Sequence, residues 1–214
     1  MQLICFAPMQ ISESTAAIFS TITFGPASYF ALVARYPNII IENHENFVKQ
    51  SLRSRYIIAS ANGAQTLVVP VLKANSKQLI NHVKIDNTVA WQRNHWRSIE
   101  SAYNRSAFFE YYKDDLKHLF DTKYEFIYGF NMATFQYLCK QFKIVTNISV
   151  SDSYKVNYGE VDFRNLSNEN VYSNITYRQV FMYKHAFVPY TSALDLLFNL
   201  GPQSHTVLTS SLPD

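Results

Sequence analysis

Between Thr21 and Glu42 the chain spells a strand, a break, a helix, a second break and another strand, an order that few folds accommodate. Thr21 to Phe24 is short and β-prone, Gly25-Pro26 interrupts it, and Ala27 to Arg35 reads as a helix that Pro37 stops. The run Asn38 to Glu42 is then apolar and β-branched, as a buried strand is. Two strands joined by a helix pair in parallel, because the crossover returns the chain to the same end of the sheet. The expected fold class is therefore α/β: a single domain with a mixed β-sheet opened by a βαβ unit, and a lobe of several helices.

The rest of the chain fills in that frame. Tyr56 to Ala59 and Thr66 to Val71 flank Asn62-Gly63, the turn chemistry of a β-hairpin. Leu79 to Asp86 alternates as a half-exposed strand does. Asp86 or Asn87 is placed to cap a helix reaching about Arg105, Ser106 a second through Phe120, and Tyr124 to Phe142 reads as a third. Ile144 to Ser149 is strand-like, and Asp152 to Thr176 is a long asparagine-rich loop with strand pieces around Val161 and Phe163. Tyr177 to Tyr183 suits an edge strand, and Thr191 to Leu200 a helix ended by Gly201-Pro202.

A hydrophobic fraction of 48% against 16% charged residues, in 214 residues, supplies a core and excludes disorder. The net charge of +3 does not call for a nucleic-acid partner. Cys5 and Cys139 are too few for a disulfide framework or a zinc site, so no metal is expected. Met1 to Ser20 lacks a positive start, and Glu13 interrupts its apolar run, which argues against a secretory leader. With no run long enough for a transmembrane segment, the expected compartment is cytoplasmic. Glycine-rich phosphate loops, nucleophile elbows, HExxH and CxxC are all absent, so no cofactor is expected.

Four clusters can carry chemistry. Ile41 to Arg55 gathers His44, Glu45, Asn46, Lys49, Gln50, Arg53 and Arg55 directly after a strand, the place where α/β sheets build sites. Its cations suit phosphate or carboxylate. Trp91, His95, Trp96 and Glu100 form two helical pairs about 140° apart, with His95 a candidate acid or base, although a lone helical His is more often a hydrogen-bonded structural residue. Tyr103, Tyr111 and Tyr112 stand among Glu110, Asp114 and Asp115 in a pattern that suits a sugar, although core packing explains the rings equally well. Asp195 and Asn199 share a helix face, and a buried Asp195 needs a partner, for which Arg53 or Arg55 is the candidate.

At these segments the chain resembles the WbqC-like family of bacterial proteins. The resemblance rests on TFGPASYFALVA at Thr23, ENFVKQSLRSRYII at Glu45, ANGAQTLVVPV at Ala61, VKIDNTVAWQRNHWRSIESAYNRSAFFEYY at Val83, and the closing YRQVF and SALDLLFNLGP. It spans about Thr21 to Pro202. Residues 1–20 are thus an extension outside the match, and residues 21–214 a single WbqC-like domain. Ser54 stands where the family has Asn between two arginines, and Tyr190-Thr191-Ser192 where it has Asn-Leu-Ser. The resemblance implies a role in surface-polysaccharide, O-antigen, biosynthesis and an acyl or aminoacyl transferase, possibly glycyl, acting on an amino sugar. Its partners are then a small-molecule sugar and an activated acyl donor. In that reading Lys49, Arg53 and Arg55 hold an anionic group, Trp96 and Tyr103 line the substrate, His95 exchanges a proton with the amine, and Asp195 orients an arginine or the amine. The alternative is a noncatalytic binding or scaffold protein of the glycan assembly machinery.

Overall fold

The computed structural model describes residues 16–73, 77–158, 161–166 and 175–210. Cys5 and the expectations for Met1–Thr15 fall outside the described residues, as do Asn168, Asn170 and Asn174.

The βαβ unit is present, with its first strand displaced upstream. Strand β1 is Ala16–Ser20, helix α1 is Ala27–Arg35 and strand β2 is Asn38–Glu42, with β1 and β2 parallel from Ala16↔Asn38 to Ser20↔Glu42. Thr21 to Phe24, read as the strand, instead carries the chain from the sheet to the helical lobe. Phe24 has φ 42, which no strand tolerates, and the Thr23 hydroxyl lies 2.7 Å from Asn131 Oδ1 and 3.0 Å from the Arg53 carbonyl.

Two further parallel strands complete the sheet: β5 (Asn147–Val150) beside β2, and β6 (Asp162–Phe163) beside β1, in the order β5-β2-β1-β6. The antiparallel pairing forms a separate sheet, hairpin β3 (Arg55–Ser60) and β4 (Gly63–Val68), with Ser60 opposite Gly63. Gly63 takes φ 95, which the tight turn requires and a side chain resists.

The lobe consists of α2 (Trp91–Tyr103), α3 (Phe109–Asp121) and α4 (Ile127–Gln141), followed later by α5 (Ala193–Leu200) and α6 (Ser204–Ser210). Rings dominate its core. Phe24, Tyr56, Trp91, Phe120 and Phe130 meet at centroid separations of 5.0 to 6.5 Å, mostly edge to face. The aromatic excess of the sequence is therefore largely core. Cys139 lies buried in the same lobe, and burial pushes its thiol up to about 12.

Four sequence expectations fail locally. Ser106 does not cap the second helix of the lobe, since its hydroxyl donates to the Tyr103 carbonyl at 2.7 Å and α3 starts at Phe109 with no side-chain cap. Leu79 to Asp86 is not a strand: Ile80–His82 forms a single 3₁₀ turn, and the flanks make isolated bridges only. Neither Asp86 nor Asn87 caps α2. The Asp86 carboxylate accepts the Thr88 amide at 3.0 Å, which closes a turn, and the helix starts at Trp91 with no side-chain cap. Tyr177 to Tyr183 is no edge strand, because the Gln179 side chain takes the place of a neighbouring strand, donating to the Val188 carbonyl (3.0 Å) and accepting its amide (2.8 Å). No helix among the described residues is long and apolar enough to cross a membrane.

Candidate functional site

All four strands of the main sheet run the same way, so their carboxyl ends share one edge, and each ends on a polar residue. Ser20 closes β1, Glu42 closes β2, Ser151 follows β5 and Arg164 follows β6. These side chains are all buried, although this is the edge that faces the loops. The sheet's outermost strands, β5 and β6, lie on opposite sides of the β1–β2 pair, so strand order reverses beside β1, where open α/β sheets form a crevice.

Two polar groupings occupy the edge. In the first, Arg53 reaches over β1 and pairs with Glu45 through Nε (3.0 Å) and Nη2. Its Nη2 also donates to Ser20 Oγ at 2.9 Å and to the Arg164 carbonyl at 3.3 Å. Arg164 in turn donates to Glu42 at 3.3 Å, to Asp162, and to the carbonyls of Lys155 and Val156. Tyr154 and Tyr158 lie over its guanidinium at 4.8 and 4.9 Å. Opposite charges at this depth offset one another's desolvation, and removing either partner strands the other.

The second grouping is a relay. Ser151 Oγ donates to Glu42 Oε1 at 2.6 Å and receives the Asn43 amide at 3.2 Å. His44 Nδ1 lies 3.3 Å from the same oxygen. With the hydroxyl proton given to the carboxylate, an Nδ1–H donor fits that contact, which leaves Nε2 as the ring nitrogen without a place in the relay. The His44 side chain is 32% exposed, and Nε2 has no partner among the described residues. Glu42, 0% exposed, is also fixed by the His44 amide at 2.8 Å.

The residues singled out from sequence do not meet in one hollow. Arg53 is at the sheet edge, but its partner is Glu45 and not Asp195. Lys49 is exposed on the loop before it, and Arg55 starts β3 with a buried Nε that has no hydrogen-bond partner among the described residues. His95 is 4% exposed inside the aromatic core, Nδ1 against the Tyr56 hydroxyl (3.0 Å) and Nε2 against the Val68 carbonyl (3.1 Å). Desolvation lowers its pKa to about 4, against a smaller opposite pull from the Val68 bond. Trp96 packs against Phe109 and Phe120. Tyr103 is buried, its hydroxyl accepting the Ala59 amide at 3.1 Å.

Asp195 is wholly buried and, in place of an arginine, has the Tyr177 hydroxyl (2.6 Å) and the Gln179 amide (2.9 Å) on Oδ2. Burial raises its pKa, while Tyr177, Gln179, Tyr103 and Thr191 oppose the rise. His95 and Tyr103 lie eight residues apart on α2, about 12 Å along its axis, so the imidazole and the carboxylate beside Tyr103 are separated by more than direct contact allows. Glu42, Ser151, Asp162 and Arg164 were not anticipated. The available signal was the polar residue ending each strand. Among the described residues no cluster of three His, Cys, Asp or Glu side chains is placed to hold a metal ion.

Comparison with known proteins places this edge, apart from β1 and Ser20, inside a recognised unit. The model of the WbqC-like protein family matches residues 24–166, which include the His44 relay and both buried arginines. The uncharacterized protein Rv1507c of Mycobacterium tuberculosis (strain ATCC 25618 / H37Rv) is 26% identical over 207 residues, covering 82% of this chain and 89% of that protein. No solved structure matches the chain significantly.

Proposed function

The chain belongs to the WbqC-like protein family, and from that membership we propose an enzyme that transfers an acyl or aminoacyl group, glycyl among them, to an amino sugar of bacterial surface polysaccharide, O-antigen included. The observation that carries the reading is the His44–Ser151–Glu42 relay at the carboxyl edge of the parallel sheet. An amine attacking an activated carbonyl must shed a proton as the C–N bond forms and the leaving group departs. His44 Nε2 takes that proton, and Ser151 and Glu42 stabilise the resulting imidazolium through Nδ1–H. In this reading Arg53 and Arg164 hold the edge rigid, Lys49 and Arg55 meet an anionic part of the donor, and His95 and Asp195 act as positioning residues in the lobe.

The test is turnover. Purified protein is incubated with nucleotide-linked amino sugars and activated aminoacyl donors, and the sugar is followed by mass spectrometry for the added acyl group. Acylated sugar is expected, with His44→Gln slowing its formation by about 10²–10⁴-fold and leaving thermal stability intact. Equal turnover by His44→Gln removes the base. The burial of His95 and Asp195 away from solvent favours the second reading, a noncatalytic binder. Retention of a sugar without any mass change supports that instead.

A further inference from the structure

Where the tip of the β3–β4 hairpin meets the second half of α2 there is a hollow of about 280 Å³, lined by Ser60, Ala61, Gln65, Arg97, Ser98 and Ser101 among others. No member of the His44 relay lines it. The lining holds one cation and no carboxylate. Arg97 is exposed and makes no hydrogen bond or ion pair among the described residues, whereas Arg53 and Arg164 are each paired with a carboxylate.

The hydroxyls beside Arg97 are open as well. Gln65 Nε2 donates to Ser98 Oγ at 3.4 Å, so that oxygen is the acceptor and the Ser98 proton has no acceptor of its own among the described residues. Ser101 Oγ has no partner there either. Neither serine bonds back to the helix carbonyl four residues earlier, a common recourse of a helical hydroxyl. Positions 97, 98 and 101 fall within an arc of about 100° around the helix, so the guanidinium and both hydroxyls share one side. The facing wall is tied down, because Ser60 Oγ donates across the turn to the Gly63 carbonyl at 2.9 Å.

The surrounding field is positive. Arg93 lies one turn before Arg97, and Glu100, the one acid of α2, acts on Lys113 of α3. On the hairpin side, His185 has the carbonyls of Ser60 and Ala186 on its two ring nitrogens, each at 2.9 Å, which only a doubly protonated ring satisfies, and Lys184 stands next to it.

We propose that this hollow binds a phosphate group, free or as a monoester, with the Arg97 guanidinium and the Ser98 and Ser101 hydroxyls donating to its oxygens. A guanidinium fork takes two oxygens side by side, and hydroxyls about one turn apart reach the others, which suits a tetrahedral oxyanion better than a planar carboxylate. The inference does not rest on the transferase reading, since the hollow is separate from the relay and the claim concerns binding alone.

The experiment follows the amide resonances of the full chain by two-dimensional NMR during titration with inorganic phosphate, methyl phosphate and acetate, at a fixed ionic strength of about 0.15 M so that diffuse attraction is screened. Saturable shifts centred on Ser98 and Ser101 are expected with inorganic phosphate, methyl phosphate or both, and the comparison shows whether the free ion or the ester is preferred. Acetate binds at least about tenfold more weakly. Arg97→Gln is expected to weaken phosphate binding at least about tenfold and to leave Tm unchanged, because the side chain is exposed and unpaired. Arg93→Gln, outside the lining, alters the affinity by less than about twofold. Should Arg97→Gln fail to fold, the contrast between phosphate and acetate in the natural chain still decides. The proposal is overturned if neither phosphate moves these resonances at about 20 mM, if acetate binds as well as phosphate, if folded Arg97→Gln binds unchanged, or if Arg93→Gln weakens binding as much as Arg97→Gln.

Discussion

Acidification should reveal His95 as a neutral core residue. Its pKa is lowered from 6.5 to about 4, mainly because charging it would place a cation among Tyr56, Trp91 and Phe120. The unfolded chain binds the proton near pH 6.5 and the folded chain resists it until about 4, so in that window the unfolded state holds more protons and stability falls as pH falls. A shift of this size corresponds to about 3 kcal/mol in full, of which roughly 2.5 kcal/mol is lost between about pH 7 and pH 4.5. Urea unfolding at a series of pH values measures the total, to which carboxylates also contribute. Subtracting the curve of His95→Gln, which lacks the titration, isolates the imidazole. Parallel curves for the two proteins, or a His95 resonance titrating near pH 6.5, would refute the reasoning and return His95 to the pool of candidate bases.

Arg53→Met leaves Glu45 buried without its cation and should cost about 3–5 kcal/mol by urea unfolding, with the Glu45→Gln/Arg53→Met double variant recovering part of it. Gly201→Ala forces a Cβ to within 2.5 Å of the Phe108 ring at φ 54, so a loss of about 1–3 kcal/mol or more is expected in thermal melts. Tyr190 holds φ 59, a conformation that Asn tolerates better, and Tyr190→Asn should stabilise the chain by up to about 1 kcal/mol. His185 has a carbonyl on each ring nitrogen, Ala186 and Ser60, both at 2.9 Å, so only the imidazolium satisfies both. Those bonds raise its pKa against burial and Lys184, the charged group facing it. Its contribution is therefore complete below the unfolded value and disappears as pH rises through the folded one, a slope that His185→Phe should erase.

Local chemistry made parts of this fold readable in advance. Asn62-Gly63 fixes the hairpin by backbone preference alone, and Pro37 with the Ile39–Ile41 run fixes β2. Where two segments offered similar local signals, tertiary pairing chose. Ala16–Ser20 and Thr21–Phe24 are both short and β-prone, and the second lost because Thr23 is claimed by Asn131 and Arg53, residues remote in sequence. The site divides the same way. The cluster from His44 to Arg55 was visible as polar residues following a strand, but its partners Ser151 and Arg164 lie more than a hundred residues on. Asp195 was rightly read as needing a partner. The partner proved to be a hydroxyl and an amide on Oδ2, while the buried Oδ1 has none among the described residues, and burial raises the pKa of the acid.

The order in which the strands are made gives β1 an unusual history. It is the earliest described segment to be synthesised, yet it lies inside the sheet, and its β6 neighbour emerges more than 140 residues later. Throughout that interval one hydrogen-bonding edge of a nascent β1–β2 pair stays unpaired on the ribosome. Closure of so distant a contact is slow, and the waiting edge is the natural target for chaperones and for mispairing between neighbouring nascent chains.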